Sequence, residues 1–187
     1  MTILIKNMVC ERCISAVQKI FDDYKIKLIS ISLGEVKTEF PISENQLQTI
    51  ESQLLNFGFE RIRNPTYQLI DKIKSLIIQK ISDLDISENF LLSEFLSSKL
   101  NKDYSSLSKT FSQHENLRLE QFFILQKIEK VKELLSYNEF QLTEIAGKLG
   151  YKSVQHLSTQ FRNSTGYSPT EFKNLKNPVR KPLDKVQ

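Results

Sequence analysis

The chain has 187 residues, 40% of them apolar, which suffices for a real core in one large or two small domains and excludes general disorder. Its first residues lack a secretory pattern, and no stretch approaches the ~18 consecutive apolar residues of a membrane span, so a cytoplasmic protein with no membrane partner is expected. The formal charge of +4 arises after residue 63, because residues 1–63 hold eight Lys/Arg and eight Asp/Glu; from Leu142 onward the count is eight against three, which points to an anionic partner at that end.

Ile3 to Met8 reads as a short strand, and Cys13 to Tyr24 places Ile14, Val17, Ile20 and Phe21 on a helical stripe. In "KIKLISISLGEVKTEF", Ile26, Leu28, Ile29, Ile31 and Leu33 largely alternate with polar residues, and Gly34 offers a reversal into Val36 to Phe40, so a β-hairpin is predicted. Ser43 and Gln46 have the form of a capping box; Leu47, Ile50, Leu54 and Leu55 keep helical spacing until Gly58, and Phe59 to Ile62 reads as a last strand. The order βαββαβ, completed within residues 1–63, is the ferredoxin-like motif.

Between the first strand and helix lies "KNMVCERC", which holds both cysteines of the chain, Cys10 and Cys13. Cys13 begins the predicted helix, where unpaired amide N–H groups favour an anion, and Arg12 adds positive charge, so a lowered thiol pKa is expected there. Two thiolates beside Met8 and Val9 suit Cu(I), which accepts low coordination; Zn(II) usually takes four ligands, and Glu11 is a poor substitute for the missing ones. Met8-x-Cys10-x-x-Cys13, with Gly58-Phe59 later in the unit, resembles the heavy-metal-associated domain of copper chaperones and metal-transport ATPases over residues 1–63. That resemblance implies a metal held by Cys10 and Cys13. The chain departs from it at Asn7, where the family has Gly, and at Val9, where it has Thr; a redox pair and a metal-free fold remain as alternatives.

"RNPTY", Arg63 to Tyr67, marks a boundary because Pro65 cannot continue a strand but suits a helix start. Residues 64–84 are read as an interdomain helix, with Leu69, Ile70, Ile73, Leu76, Ile77 and Ile81 on a broad apolar face between Tyr67 and Ser82. Beyond it the periodicity is helical, so the class changes from α+β to all-α. Residues 85–175 contain an internal repeat: Leu96 aligns with Ile145, Ser97 with Ala146, Leu100 with Leu149, Leu107 with Leu157 and Phe111 with Phe161. The offset is 49 before the turn and 50 after it, read as one extra turn residue in the first copy. Each copy is a helix, a turn and a second helix, with Gly150 able to take the left-handed C-cap. Leu117 to Leu135 forms the helix between the copies, its stripe being Phe122, Leu125, Ile128, Val131 and Leu135; at ~1.5 Å per residue it spans roughly 28 Å, near the ~34 Å between successive major-groove faces of one duplex side.

"LTEIAGKLGYKSVQHLSTQFRNSTGYSPTEFK", Leu142 to Lys173, resembles the C-terminal signature of AraC/XylS-type transcription regulators, with Ile145, Ala146, Leu149, Gly150, Tyr151, Ser153, Phe161, Arg162, Gly166, Tyr167, Ser168, Pro169, Phe172 and Lys173 in register. The resemblance implies two helix-turn-helix units whose second helices, Tyr104 to Ser112 and Ser153 to Asn163, enter two adjacent major-groove segments of double-stranded DNA, with no cofactor required. Facing away from the core positions are Ser105, Ser106, Ser108 and Lys109, then Val154, Gln155, His156, Ser158 and Thr159. Gln155 suits an adenine edge, Lys109 a guanine or phosphate and Val154 a thymine methyl, while Lys152, Arg162 and Lys173 suit phosphates. Residues 176–187 form a basic tail. Nothing in the chain makes a hydrolytic triad, phosphate loop or paired-carboxylate site, so a non-enzymatic transcription regulator is expected, modulated by metal or redox state at its N-terminal thiols and dimerising through its N-terminal domain or interdomain helix. The rival is a copper-handling protein whose helical half binds other proteins.

Overall fold

In the computed structural model, which describes residues 1–62, 65–175 and 179, strand β1 (Thr2–Lys6) buries Ile3 and Ile5 and leaves Thr2 exposed, the two-residue alternation of a sheet with one covered face. It pairs antiparallel with β3 (Glu35–Thr38) on one side and β4 (Glu60–Arg61) on the other, and β2 (Leu28–Ser32) pairs antiparallel with β3, giving the sheet order β2-β3-β1-β4. Helix α1 (Glu11–Asp23) follows β1 and helix α2 (Glu44–Asn56) follows β3. They contribute Val17, Ile20 and Phe21, and Leu47, Ile50 and Leu54, to one core with Ile3, Ile5, Met8, Val36 and Phe59. Each such side chain stabilises by about 1.5–3 kcal/mol on leaving water.

Local chemistry accounts for the bends in this pattern. The register runs Leu28↔Thr38 and then Ser30↔Lys37, so Ile29 is the extra residue of a bulge and stands 68% exposed; the adjacent apolar pair Leu28-Ile29, which breaks strict alternation, marks that bulge. Gly34 turns the hairpin at φ +82°. Ser43 caps α2 by accepting from the Gln46 N–H at 3.4 Å, and its hydroxyl donates to Gln46 Oε1 at 2.9 Å. The last strand is only two residues long rather than four, because Phe59 turns into the core and Ile62 closes with a single bond from its N–H to the Leu4 carbonyl, 2.8 Å.

The chain divides into two compact units, Met1–Leu76 and Ile77–Gln187, and the division falls within α3 (Pro65–Ser82). Arg63 and Asn64 of the expected boundary, and the expected tail at 176–187 apart from Val179, lie outside the described residues. In the second unit two helical pairs, α4 (Leu92–Leu100) with α5 (Tyr104–Glu115) and α7 (Leu142–Lys148) with α8 (Val154–Thr165), are joined by α6 (Leu119–Tyr137), and α9 (Pro169–Lys173) follows. The repeat is visible in the core: Leu96 and Ile145, Leu107 and Leu157, Phe111 and Phe161 are all fully buried.

The longer turn belongs to the second pair, not the first. Asn101 (φ +49°) and Gly150 (φ +66°) are the equivalent left-handed residues; Lys102 and Asp103 separate the former from α5, whereas Tyr151, Lys152 and Ser153 separate the latter from α8. Gly150 ends α7 in a Schellman arrangement, its N–H on the Gly147 carbonyl and the Tyr151 N–H on that of Ala146. Helix α6 departs from a simple amphipathic stripe. It packs against α5, α7, α8 and α9, so that every residue from Gln126 to Val131 is buried, while Leu125 is only half-buried. Four of its charges form two ion pairs, Lys130 with Glu133 at 2.9 Å and Lys132 with Glu129 at 2.6 Å.

Candidate nucleic-acid interface

Helix α8 is built to present one face. Ser153 caps it by accepting from the His156 N–H at 3.1 Å, and Gly166 (φ +83°) ends it, its N–H on the Arg162 carbonyl at 2.8 Å. Leu157 and Phe161 anchor the opposite side, with Phe161 meeting Phe172 edge-on at 5.5 Å between ring centroids. Gln155, Thr159 and Arg162, spaced i, i+4 and i+7, therefore share the exposed face with His156, whereas Val154 and Ser158 are half-buried on its flank. On α5, Ser105, Ser106 and Lys109 are exposed and Ser108 is half-buried. The same i+4 register extends these faces to Gln113 and Asn163, both exposed, which the expected contact set omitted.

Lys152 is exposed in the turn before α8, and Lys173 is exposed at the end of α9, where its ammonium donates to the Asn138 side-chain oxygen just past α6. The residues from Gly166 to Pro169 have a structural use: Ser168 accepts from the Glu171 N–H at 3.2 Å, Glu171 accepts from the Ser168 N–H at 2.7 Å, and Pro169 occupies the first helical position. The signature thus reports scaffold as much as contact.

One group in this scaffold escaped the sequence reading. Lys127 of α6 is buried; its Nζ donates to the Leu149 carbonyl at 3.2 Å and lies 3.9 Å from the centroid of the Tyr151 ring. Tyr151, 4% exposed, donates its hydroxyl to Gln160 Oε1 on α8 at 2.8 Å, and the His156 ring meets it edge-on at 5.5 Å. The available signal was a lysine beside Ile128 with Ile124 at i−3 and Val131 at i+4, a cation set within apolar spacing. Burial lowers the Lys127 pKa from 10.5 to about 8. A folded pKa below the unfolded one means the unfolded chain binds the proton more tightly, so the cost to stability is full below pH 8 and is relieved as pH rises toward 10.5. Urea unfolding at about pH 7 and about pH 10 should show wild type gaining on Lys127→Met at the higher pH, by on the order of 1–3 kcal/mol at ~1.36 kcal/mol per pKa unit.

In the first unit, the thiols occupy an ordered loop. Asn7 takes a positive φ of 71°, its side-chain amide donates to the Gly58 carbonyl at 2.8 Å, and its N–H donates to Asp71 Oδ1 at 3.2 Å. The Ser75 hydroxyl donates to the Met8 carbonyl at 3.2 Å, and Met8 is wholly buried. Cys10 Sγ and Cys13 Sγ stand 3.4 Å apart, the first exposed and the second half-buried. The helix cap is Cys10, not Cys13, so the lowering expected at Cys13 falls on Cys10 instead. Desolvation pushes Cys10 upward, but the Cys13 N–H and thiol together with the Arg12 N–H and guanidinium outweigh it, so Cys10 is lowered. Cys13, within the first turn, is raised, chiefly by burial and also by the neighbouring Cys10 sulfur.

A family model described as a helix-turn-helix domain, HTH_18, matches residues 96–174. Among solved structures, the C-terminal domain of AraT, a response regulator from Geobacillus stearothermophilus, is similar at 22% identity and a TM-score of 0.52, covering 63% of this chain and 90% of that one. The C-terminal domain of the two-component response regulator yesN from Fusobacterium nucleatum is 27% identical, covering 55% of this chain and 99% of that one at a TM-score of 0.47. The DNA-binding domain of AdpA, a global transcriptional factor in complex with a target DNA, is 20% identical over 54% of this chain and 88% of that one, at a TM-score of 0.46. The first of these likenesses bears on the fold alone. No curated protein matches the chain significantly. Residues 96–174 therefore carry a helix-turn-helix domain, with a fold similar to that of the AraT C-terminal domain.

Proposed function

We propose that the protein is a cytoplasmic, sequence-specific DNA-binding transcription regulator whose helices α5 and α8 read adjacent major-groove segments. The observation that carries this is the construction of α8: a fully buried Leu157 and Phe161 on one side, and Gln155, His156, Thr159 and Arg162 exposed together on the other. Gln155 offers donor and acceptor to an adenine edge, and Lys109, Lys152, Arg162 and Lys173 supply positive charge to phosphates or guanine. The serines of α5 make weaker and less selective contacts. Gel shifts against genomic fragments at graded salt test this; the expected result is retention of particular fragments with a steep salt slope, and retention no better than that of bulk DNA sinks the reading.

The strand order β2-β3-β1-β4 favours a ferredoxin-like first unit. Its Cys10 and Cys13 suit a soft monovalent cation, Cu(I), because two sulfurs 3.4 Å apart supply low coordination. Among the described residues no group of three His, Cys, Asp or Glu side chains converges, which fits Zn(II) poorly. Occupation of the pair, or its oxidation, is the input to DNA affinity, acting through the packing or dimerisation of the first unit or of α3; it requires that the two states bind the input differently. Native mass spectrometry after Cu(I) exposure should give one Cu(I) per chain, lost in Cys10→Ser/Cys13→Ser, and operator affinity that responds to Cu(I) only in wild type. A double variant with an unchanged metal response removes the sensor. The thiol pair also favours a second reading, a copper-handling protein with a protein-binding helical half, for which specific DNA retention would be absent.

A further inference from the structure

Resting on the DNA-reading assignment of α8, we propose that Tyr151, braced by Lys127, is a positioning residue that presets one edge of α8, and that Gln160 on this edge determines base specificity. The turn before α8 is one residue longer than the turn before α5, and it places a buried tyrosine where the first pair has only exposed Lys102 and Asp103. Three groups converge on that ring system: the Lys127 ammonium on its face at 3.9 Å, the His156 ring edge-on at 5.5 Å, and Gln160 Oε1 at 2.8 Å from its hydroxyl.

His156 and Gln160 are one helical turn apart and so lie on the same edge of α8. A free glutamine presents an acceptor and a donor, the combination that suits adenine. Gln160 has its carbonyl oxygen committed to the Tyr151 hydroxyl, so its amide N–H groups are the end left for a ligand. Donors alone suit acceptor-rich edges, the N7 and O6 of guanine or the O4 of thymine. Holding the amide before DNA arrives also removes the entropy cost of ordering a long side chain on binding. Lys127 contributes without reaching DNA: it fixes the Tyr151 ring between α6 and α8 and ties it to the Leu149 carbonyl through its own donor.

The test selects binding sites from randomised duplex DNA with the full chain, then compares base preferences for wild type, Tyr151→Phe, Lys127→Arg and Lys127→Met. Tyr151→Phe keeps the ring and its stacking and deletes the hydroxyl. Its expected result is a melting temperature close to wild type, unchanged preferences in the segment read by α5, and selectivity lower by about tenfold at one or two adjacent positions read by α8. Lys127→Arg should keep the wild-type preferences, and Lys127→Met should relax the same positions; if Lys127→Met fails to fold, Tyr151→Phe alone decides. A Tyr151→Phe profile identical to wild type, or one weakened equally at every position, overturns the inference while leaving DNA reading by α8 intact. A wild-type chain that enriches no sequence overturns DNA reading itself, and this inference with it.

Discussion

Gly150→Ala is expected to destabilise the second unit by roughly 3 kcal/mol, from about 1–2 kcal/mol for an L-residue in left-handed geometry and a comparable cost for overpacking. The added methyl carbon would stand 2.7 Å from Ile86 Cγ2, 2.7 Å from the Ser87 carbonyl oxygen and 3.1 Å from that of Ile86. Two of those neighbours are backbone, and the Ile86 segment is itself bonded to the end of α7 by its N–H on the Lys148 carbonyl at 3.0 Å, so it cannot yield without breaking that bond. Urea unfolding of the pure variant measures the loss. A change under about 1 kcal/mol would mean that the turn does not depend on this close approach. The control is Asn101→Gly at the matching left-handed position of the first pair, where stability should hold or rise slightly.

Phe161→Ala should cost about 3–5 kcal/mol, the range for emptying a buried aromatic site. The ring is fully buried and its partner Phe172 belongs to α9, so the deletion uncouples two helices and leaves a cavity beneath the exposed face of α8. On the proposed function, specific DNA affinity should fall by more than the salt-dependent binding common to any duplex, because the charged groups remain while the reading helix loses its seat. Unfolding curves and competition gel shifts on the same preparation separate the two losses. Equal weakening of specific and bulk DNA binding would argue that α8 does not read sequence.

Much of the scaffold was legible because it depends on local rules. Leu107, Phe111, Leu157 and Phe161 follow helical spacing, and Gly150 with Ser153 announces the end of one helix and the start of the next. Readings that needed tertiary knowledge fared less well. Cys10 rather than Cys13 caps α1, because periodicity alone fixes a helix limit only to within a fraction of a turn, and the lowered thiol is Cys10 with it. Lys127 lies off the apolar stripe read for the spacer helix; only the packing of four other helices around α6 makes it a buried cation against a tyrosine. Gln160 was passed over for the same reason, since its hydroxyl partner is nine residues away across a turn.

Helix α6 has a meaning for any target that exceeds its length. A connector enclosed on all sides over a full turn and a half cannot serve as a hinge, since bending it would open the common core of both helical pairs. The protein then behaves as a caliper set at one width. On DNA it would recognise a single composite word, with no freedom to accept its two syllables at altered phase, and one added base pair between them would swing the second by about 34–36° out of reach.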